Sequence, residues 1–369
     1  MLTALYIHIP FCDHICTYCD FHKEIAKESK KESYINSLIK ELAFHGDSYQ
    51  GIRTIYLGGG TPSSLDLTIL EKLFINLKKH INLDKVIEFT MECNPNDVDQ
   101  SLIDLLIQYQ VSRVSLGVQT FNQSHLDFLG RTHDKVDVLN AIDLLNINNL
   151  TNISIDLMFA LTNQTLKDLK EDIAEALKLD IKHISYYSLI LEEKTKLYQL
   201  YRQKKISLIE EDLEGLMYNI VIDSLTENGY NHYEISNFSK AGYESLHNKI
   251  YWQNKDYLGI GASAHSLIGN ERFYNIGNTT LYINTANEDL TKIKTSYLRE
   301  DLREELMMGL RLLKGINVPE VNEKFSIDLF EKYPELHKFI KQNILEYKND
   351  QLLFTRSGLL LGNIVFQIF

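Results

Sequence analysis

The chain has 369 residues, 44% hydrophobic and 24% charged, with a formal net charge of −12. That is the balance of an ordinary globular protein, long enough for one large domain and a small one, and it excludes a disordered chain. The acidic balance speaks against broad contact with phosphate backbones, so no nucleic-acid partner is expected. No apolar run approaches the roughly 18 residues of a membrane span, which leaves at most peripheral membrane contact. The opening "MLTALYIHIPFC" has neither a basic stretch nor a small-residue cleavage site, so a cytoplasmic protein with reduced thiols is expected.

Up to about residue 230, short β-branched apolar runs alternate with amphipathic helical stretches. The candidate strands are "ALYIHI", "RTIYLGG", "VIEFTME", "RVSLGVQ", "ISIDLMF" and "HISYYSL". Six βα units in a row imply a parallel sheet, either open or curled into a complete or partial barrel. Strand parity decides between these, because residues two apart share a face. One face carries Tyr6 and His8, Tyr56 and Gly58, Glu88 and Glu92, Arg113 and Gln119, and Asp156. The other carries Ile7, Leu57, Phe89, Leu116 and Ile155. Strands covered by helices on both sides would be apolar on both faces, so the polar face is expected to line a lumen that holds a ligand. The fold class expected is α/β, a partial parallel (βα)6 barrel over residues 1–235.

Beyond residue 230 the rhythm changes. "YNHYEISNF" reads as one more strand, and 236–295 as a loop-rich extension rich in aromatics and Gly. A helix is expected from about Tyr297 to Leu313, stopped at Gly315. "ILEYKNDQLLFT" reads as two strands around a turn, followed by a helix-like end. Residues 296–369 are therefore expected to form a small α+β, winged-helix-like domain. From residue 300 onward this tail has 9 Lys and Arg against 11 Asp and Glu, too acidic a balance for a DNA-binding wing.

Cys12, Cys16 and Cys19 crowd one loop just past the first strand, and Cys93 is the only other cysteine. Reduced thiols gathered in this way read as metal ligands. A structural zinc would want four ligands, with His14 or His22 at hand, but the spacing is not a usual zinc spacing. Three thiolates suit a 4Fe–4S cube with one iron left open. Cys93 alternates with Glu92 and is expected to face the helix layer as a small core residue. "LGGGTPSSL", after the second strand, has glycines that let backbone approach a ligand closely. It lacks the Gly-Lys-Ser/Thr ending of a phosphate-binding loop.

The cysteine loop, with Tyr18 before the last cysteine, resembles that of the radical SAM superfamily. The resemblance implies a 4Fe–4S cluster on Cys12, Cys16 and Cys19, with S-adenosylmethionine chelating the open iron. It also implies nucleoside contacts from Gly59, Gly60 and Thr61. "GGGTPS", "MECNPND", "RVSLGVQTF", "LGRTH", "YEISNF", "HNKIYW" and "GIGASAHS" follow one another as in the oxygen-independent coproporphyrinogen oxidase-like group. That resemblance spans essentially the whole chain. It implies Tyr6 beside the cluster, and Tyr18, Glu92, Gln119, Arg131 and Asp156 at the adenosylmethionine site. The chain departs from the group's Gly-Leu-Pro with Ala160-Leu161-Thr162.

Within the group, three features resemble the haem-chaperone branch rather than the oxidase branch. Phe21 stands where the oxidase pattern has a fourth cysteine. Eleven residues precede Cys12, where the oxidase has a long covering segment. "HNKIYW" matches the branch's haem motif, which implies His247 as an axial imidazole with Tyr251 and Trp252, the sole tryptophan, as flat surface for a macrocycle. The chaperone reading brings haem or a related porphyrin, haem-accepting apoproteins and an electron donor such as flavodoxin or ferredoxin as partners, and it allows a homodimer. Its rivals are a coproporphyrinogen III oxidase and a tRNA-modifying radical enzyme. The latter would need a basic accessory domain that the acidic tail does not supply.

Overall fold

The computed structural model describes residues 2–369. Strands β1 (Ala4–Ile9), β2 (Thr54–Gly59), β3 (Glu88–Cys93), β4 (Arg113–Gln119), β5 (Ile153–Phe159) and β6 (His183–Ser188) run parallel, each beside the next. Helices α1 (Glu28–Phe44), α2 (Leu67–His80), α3 (Gln100–Gln108), α4 (Gln123–Leu129), α5 (Lys135–Ile147) and α6 (Leu166–Ala176) fill the crossovers. Their starts are coded locally. Asp66 accepts a hydrogen bond from the Thr68 amide at the head of α2, and Asp134/Asp137 and Thr165/Asp168 form capping boxes on α5 and α6. The apolar strand face, including Ile7, Leu57, Leu116 and Ile155, is fully buried with Leu70, Leu106 and Ile142 of the helix layer. Sequence parity thus reproduces the observed two-faced sheet.

After α7 (Lys196–Arg202) and α8 (Glu211–Glu227), the chain extends both edges of this sheet. The hairpin β7 (Asn231–Glu234) and β8 (Asn237–Ser239) joins β6 antiparallel. Beyond α9 (Leu246–Trp252), β9 (Tyr257–Ile260) lies parallel to β1 on the far side. It is followed by β10 (His265–Ile268), β11 (Glu271–Asn275) and, after α10 (Thr279–Glu288), β12 (Lys294–Leu298). The result is a 12-stranded sheet in the order β12-β11-β10-β9-β1-β2-β3-β4-β5-β6-β8-β7. The stretch read as loop-rich therefore also contributes short strands to the sheet, and it holds α9 and α10 as well. Its strands of three to five residues are too short to display a period that a sequence reading can resolve. Glu41 of α1 fastens this extension to the barrel. Its carboxylate, pushed up to about 7 by burial, accepts from the Gly261 amide at 2.8 Å, from Asn275 at 2.6 Å and from the Tyr282 hydroxyl.

The helix expected from Tyr297 is instead the end of β12 followed by α11 (Asp301–Gly309). Pairing of Arg272 with Tyr297 across β11 and β12 outweighs the helical pattern there. Gly315 adopts φ 69° at the turn after α11, where a Cβ would lie 2.1 Å from the Leu352 carbonyl oxygen, so only glycine fits. The C-terminal unit has its own antiparallel sheet, β13 (Ile316–Asn317), β15 (Gln351–Phe354) and β14 (Leu345–Lys348) in that order. Its separate core includes Leu306, Leu336, Leu352 and Val365. Among the described residues no helix is long and apolar enough to cross a membrane.

Candidate cluster and ligand site

The cysteine loop is closed on itself and clamped to the barrel. The Cys12 amide donates to Glu24 O (3.1 Å) and the Glu24 amide to Pro10 O (2.7 Å). Thr17 donates its amide to Leu129 O and its hydroxyl to Phe128 O at the end of α4, and its carbonyl accepts from the Leu197 amide of α7. The three glycines after β2 reach this loop from the side. The Gly60 amide donates to Ile9 O at 2.8 Å and the Thr61 amide to Phe11 O at 2.7 Å. A Cβ on Gly60 would lie 2.7 Å from Phe11 O, so the loop can seat only against glycine.

Between the loop and the C-terminal ends of β2–β5 lies a cavity of about 450 Å³. Cys12, Cys16, Cys19 and Tyr18 line one side, and Gly59, Gly60 and Thr61 another. Glu92, Gln119, Arg131 and Asp156 complete it. Eleven residues expected from sequence thus converge on one space. Arg131, just past the left-handed Gly130 that ends α4, is the hub. Its guanidinium donates to Cys16 Sγ (3.3 Å), Asn94 Oδ1 (2.8 Å) and Gly117 O (2.7 Å). Glu92 accepts from the Tyr56 hydroxyl (2.7 Å) and the Gly59 amide (3.1 Å), and burial pushes it up to about 7. Burial likewise raises Asp156, against the pull of Ser185 and Arg113. Gln119 sits at φ 68°, where the β4–β5 register slips, so a bulge aims its amide inward.

Asn94, Ser115 and Gly117 also line the cavity, though sequence reasoning passed over them. Ser115 and Gly117 lie on the polar parity face, and Asn94 lies in "MECNPND", so a signal was present for each. Cys93 is buried in the core, 3% exposed, as expected, although it also borders the cavity.

Two expectations need correction. Tyr6 does not line the cysteine cavity. Its hydroxyl meets His8 Nδ1 at 2.9 Å, and its ring faces a second cavity on the β9 side. His247 is not on a loop but in the first turn of α9, and it is fully buried. Its Nδ1 meets Thr54 Oγ1 at 2.9 Å, its Nε2 meets the Tyr251 hydroxyl at 2.8 Å, and its backbone amide donates to Glu88 at 2.8 Å. Burial holds it down to about 3, a neutral ring with both nitrogens engaged. It pins α9 beneath the lumen, with both ring nitrogens already engaged by hydroxyls. Tyr251 and Trp252 do face open space, the same second cavity as Tyr6.

The residues present fit a 4Fe–4S cluster. Among the described residues no three His, Cys, Asp or Glu side chains converge on one point as around a single ion. A cube spreads its thiolates over separate irons, so three cysteines around one cavity suit it. Burial pushes the Cys12 thiol up to about 11 and raises Cys19. Coordination must therefore release protons. Donors are ready for the thiolates: Thr61 Oγ1 lies 3.4 Å from Cys12 Sγ, and Arg131 reaches Cys16.

Residues 6–176 match the Radical SAM superfamily and residues 298–361 the HemN C-terminal domain. The chain is 39% identical to the haem chaperone HemW of Lactococcus lactis over 99% of its own length and 97% of the relative's. It is 38% identical to the haem chaperone HemW of Bacillus subtilis over 100% and 99%. Among solved structures it is similar to coproporphyrinogen III oxidase (HemN) from Escherichia coli. That match has a TM-score of 0.85 at 20% identity and covers 100% of this chain and 89% of the other, which establishes a shared fold. The chain belongs to the HemW family of radical SAM proteins.

Proposed function

We propose that this protein is a cytoplasmic haem chaperone. It holds a 4Fe–4S cluster on Cys12, Cys16 and Cys19, binds S-adenosylmethionine in the cavity beside it, and passes haem to acceptor proteins. The carrying observation is likeness along the whole chain to haem chaperones, at 38–39% identity. The exposed Phe21 in place of a fourth cysteine supports the same branch. When bound, such a cluster supplies one electron to adenosylmethionine, from a donor such as flavodoxin or ferredoxin. The chain's own residues do the rest. Arg131 orients Asn94 and Cys16, while Glu92 and Asp156 offer carboxylates to the positive charges of adenosylmethionine. The half-buried Tyr56 and the buried Arg113 and Ser185 hold those carboxylates in place.

The test is to offer reconstituted protein haem and, separately, coproporphyrinogen III with adenosylmethionine and a reductant. Stable haem binding and transfer to an apoprotein, without decarboxylation, is the expected result. Decarboxylation at enzymatic rates would replace this reading with that of an oxidase.

A further inference from the structure

The second cavity, of about 500 Å³, falls in the size range of small-molecule sites. It opens between the cysteine loop, the start of the barrel and the β9–β11 edge. Its wall is mostly aromatic: Tyr6, Phe21, Tyr251, Trp252 and Tyr257. Flat apolar surface of this kind matches the faces of a macrocycle. Phe21, 70% exposed, belongs to both cavities, so it stands between the cluster loop and this space. Two polar atoms of the wall are buried without a partner among the described residues, the Trp252 Nε1 donor and the Asn254 Oδ1 acceptor. Buried groups left unpaired cost stability, so each marks a place where a ligand's polar edge is wanted.

Three histidines line this cavity, and their nitrogens differ. His8 is spoken for on both sides, by the Tyr6 hydroxyl at 2.9 Å and the His22 carbonyl at 3.0 Å. His22 shares Nε2 with Thr279 Oγ1 at a long 3.4 Å. His265, on β10, has no hydrogen bond to either ring nitrogen among the described residues, and its ring is braced by Tyr274 at 5.4 Å. It is exposed, and burial of part of the ring lowers its pKa, which leaves a neutral imidazole suited to iron. Arg272, the one cation in the described wall, keeps its guanidinium on Glu304 and the Tyr257 hydroxyl, so the wall carries little charge of its own.

From this geometry we infer that the haem cargo lies in the aromatic cavity with His265, not His247, as its protein ligand to iron. The inference rests on the haem-chaperone reading and adds the site. A single imidazole at an open edge releases its load more readily than one sealed in the core. The unpaired Trp252 Nε1 donor is then placed to meet an acceptor at the polar periphery of the porphyrin.

The experiment titrates haemin into full-length wild type, His265→Gly and His247→Ala, following the Soret band and the electron paramagnetic resonance of the ferric iron. His265→Gly is expected to weaken binding by tenfold or more (on the scale of one lost iron ligand), and added imidazole should restore the histidine-ligated spectrum. His247→Ala is expected to keep the wild-type spectrum. A His265→Gly protein that binds haemin with unchanged affinity and spectrum would overturn the assignment, as would one that imidazole cannot restore. Wild type that binds no haemin at all would refute the chaperone reading itself.

Discussion

The two cavities share Phe21 as a wall and differ in nearly every other respect. The cysteine cavity is polar and crowded with charge, with Arg131, Glu92 and Asp156 all half-buried and each held by named partners. The aromatic cavity has rings, one histidine (His265) whose ring nitrogens carry no hydrogen bond among the described residues, and two unsatisfied polar atoms. A charged network kept in low dielectric is expensive unless something charged binds there, which fits a metal cluster and a cationic cosubstrate. An aromatic space with few polar groups fits a flat cargo that must also leave. On the proposed reading, the difference separates the part of the molecule that serves electron and cosubstrate chemistry from the part that carries.

The largest expected effect breaks the first cavity. Replacing Cys12, Cys16 or Cys19 by Ala should remove the roughly four irons per chain of a reconstituted cube, measured by iron and sulfide analysis. Cys93→Ala should keep them. Equal loss of iron in Cys93→Ala would overturn the three-ligand reading.

The second prediction sharpens the boundary between the cavities. If His247 is a pin for α9, His247→Ala should lower unfolding free energy by about 2–4 kcal/mol, through a lost buried ring and its stranded partners Thr54 and Tyr251. Denaturant melts measure this. A variant as stable as wild type would mean that the burial of His247 does not matter to the fold.

These two sites also show what was legible in the sequence. Parity placed Glu92, Gln119 and Asp156 on the lumen face because a strand's period is two and six consecutive strands obey it. The cysteine loop announced itself by spacing. The aromatic cavity was legible only through Tyr251 and Trp252, because the rest is assembled from β1, the end of the cysteine loop, β9, β10, β11 and α11, which no single period connects. His247 misled because a His-Asn-x-x-Tyr-Trp stretch amid Gly and aromatics reads as loop. The Ser245 cap and the Glu88 carboxylate at its first amides make it a short helix instead.

A smaller effect concerns pH. Burial sets Glu92 at about 7 in the folded protein, above the 4.5 of an unperturbed glutamate. The folded state then holds its proton longer than the unfolded one. Its stabilising contribution is complete below about 4.5 and is lost as pH rises through about 7. The loss is on the order of 3 kcal/mol. Glu92→Gln keeps both hydrogen bonds, since the amide can accept from Gly59 and donate to Tyr56, and it should flatten this part of the slope in cluster-free protein. Melts at pH 5 and 8 would contradict the account if the slope were unchanged.

The smallest effect is at Ala160, which sits at φ 57°, in the left-handed region that favours glycine. Left-handed backbone costs alanine about 1–2 kcal/mol. Against this stand the ~0.8 kcal/mol of a buried methyl and the greater unfolded freedom of glycine. Ala160→Gly should therefore change stability by less than about 1 kcal/mol, with these opposing terms nearly cancelling. A destabilisation of several kcal/mol in thermal melts would show that the methyl is essential to the packing beside Asp156.

The central claim is that cosubstrate and cargo occupy different spaces in one chain. The most direct measurement is a haemin titration of cluster-loaded protein with and without saturating S-adenosylmethionine, read at the Soret band. The account predicts the same number of haem sites in both cases, without competitive displacement. Loss of haem binding in proportion to adenosylmethionine occupancy would place both molecules in the cysteine cavity and contradict it.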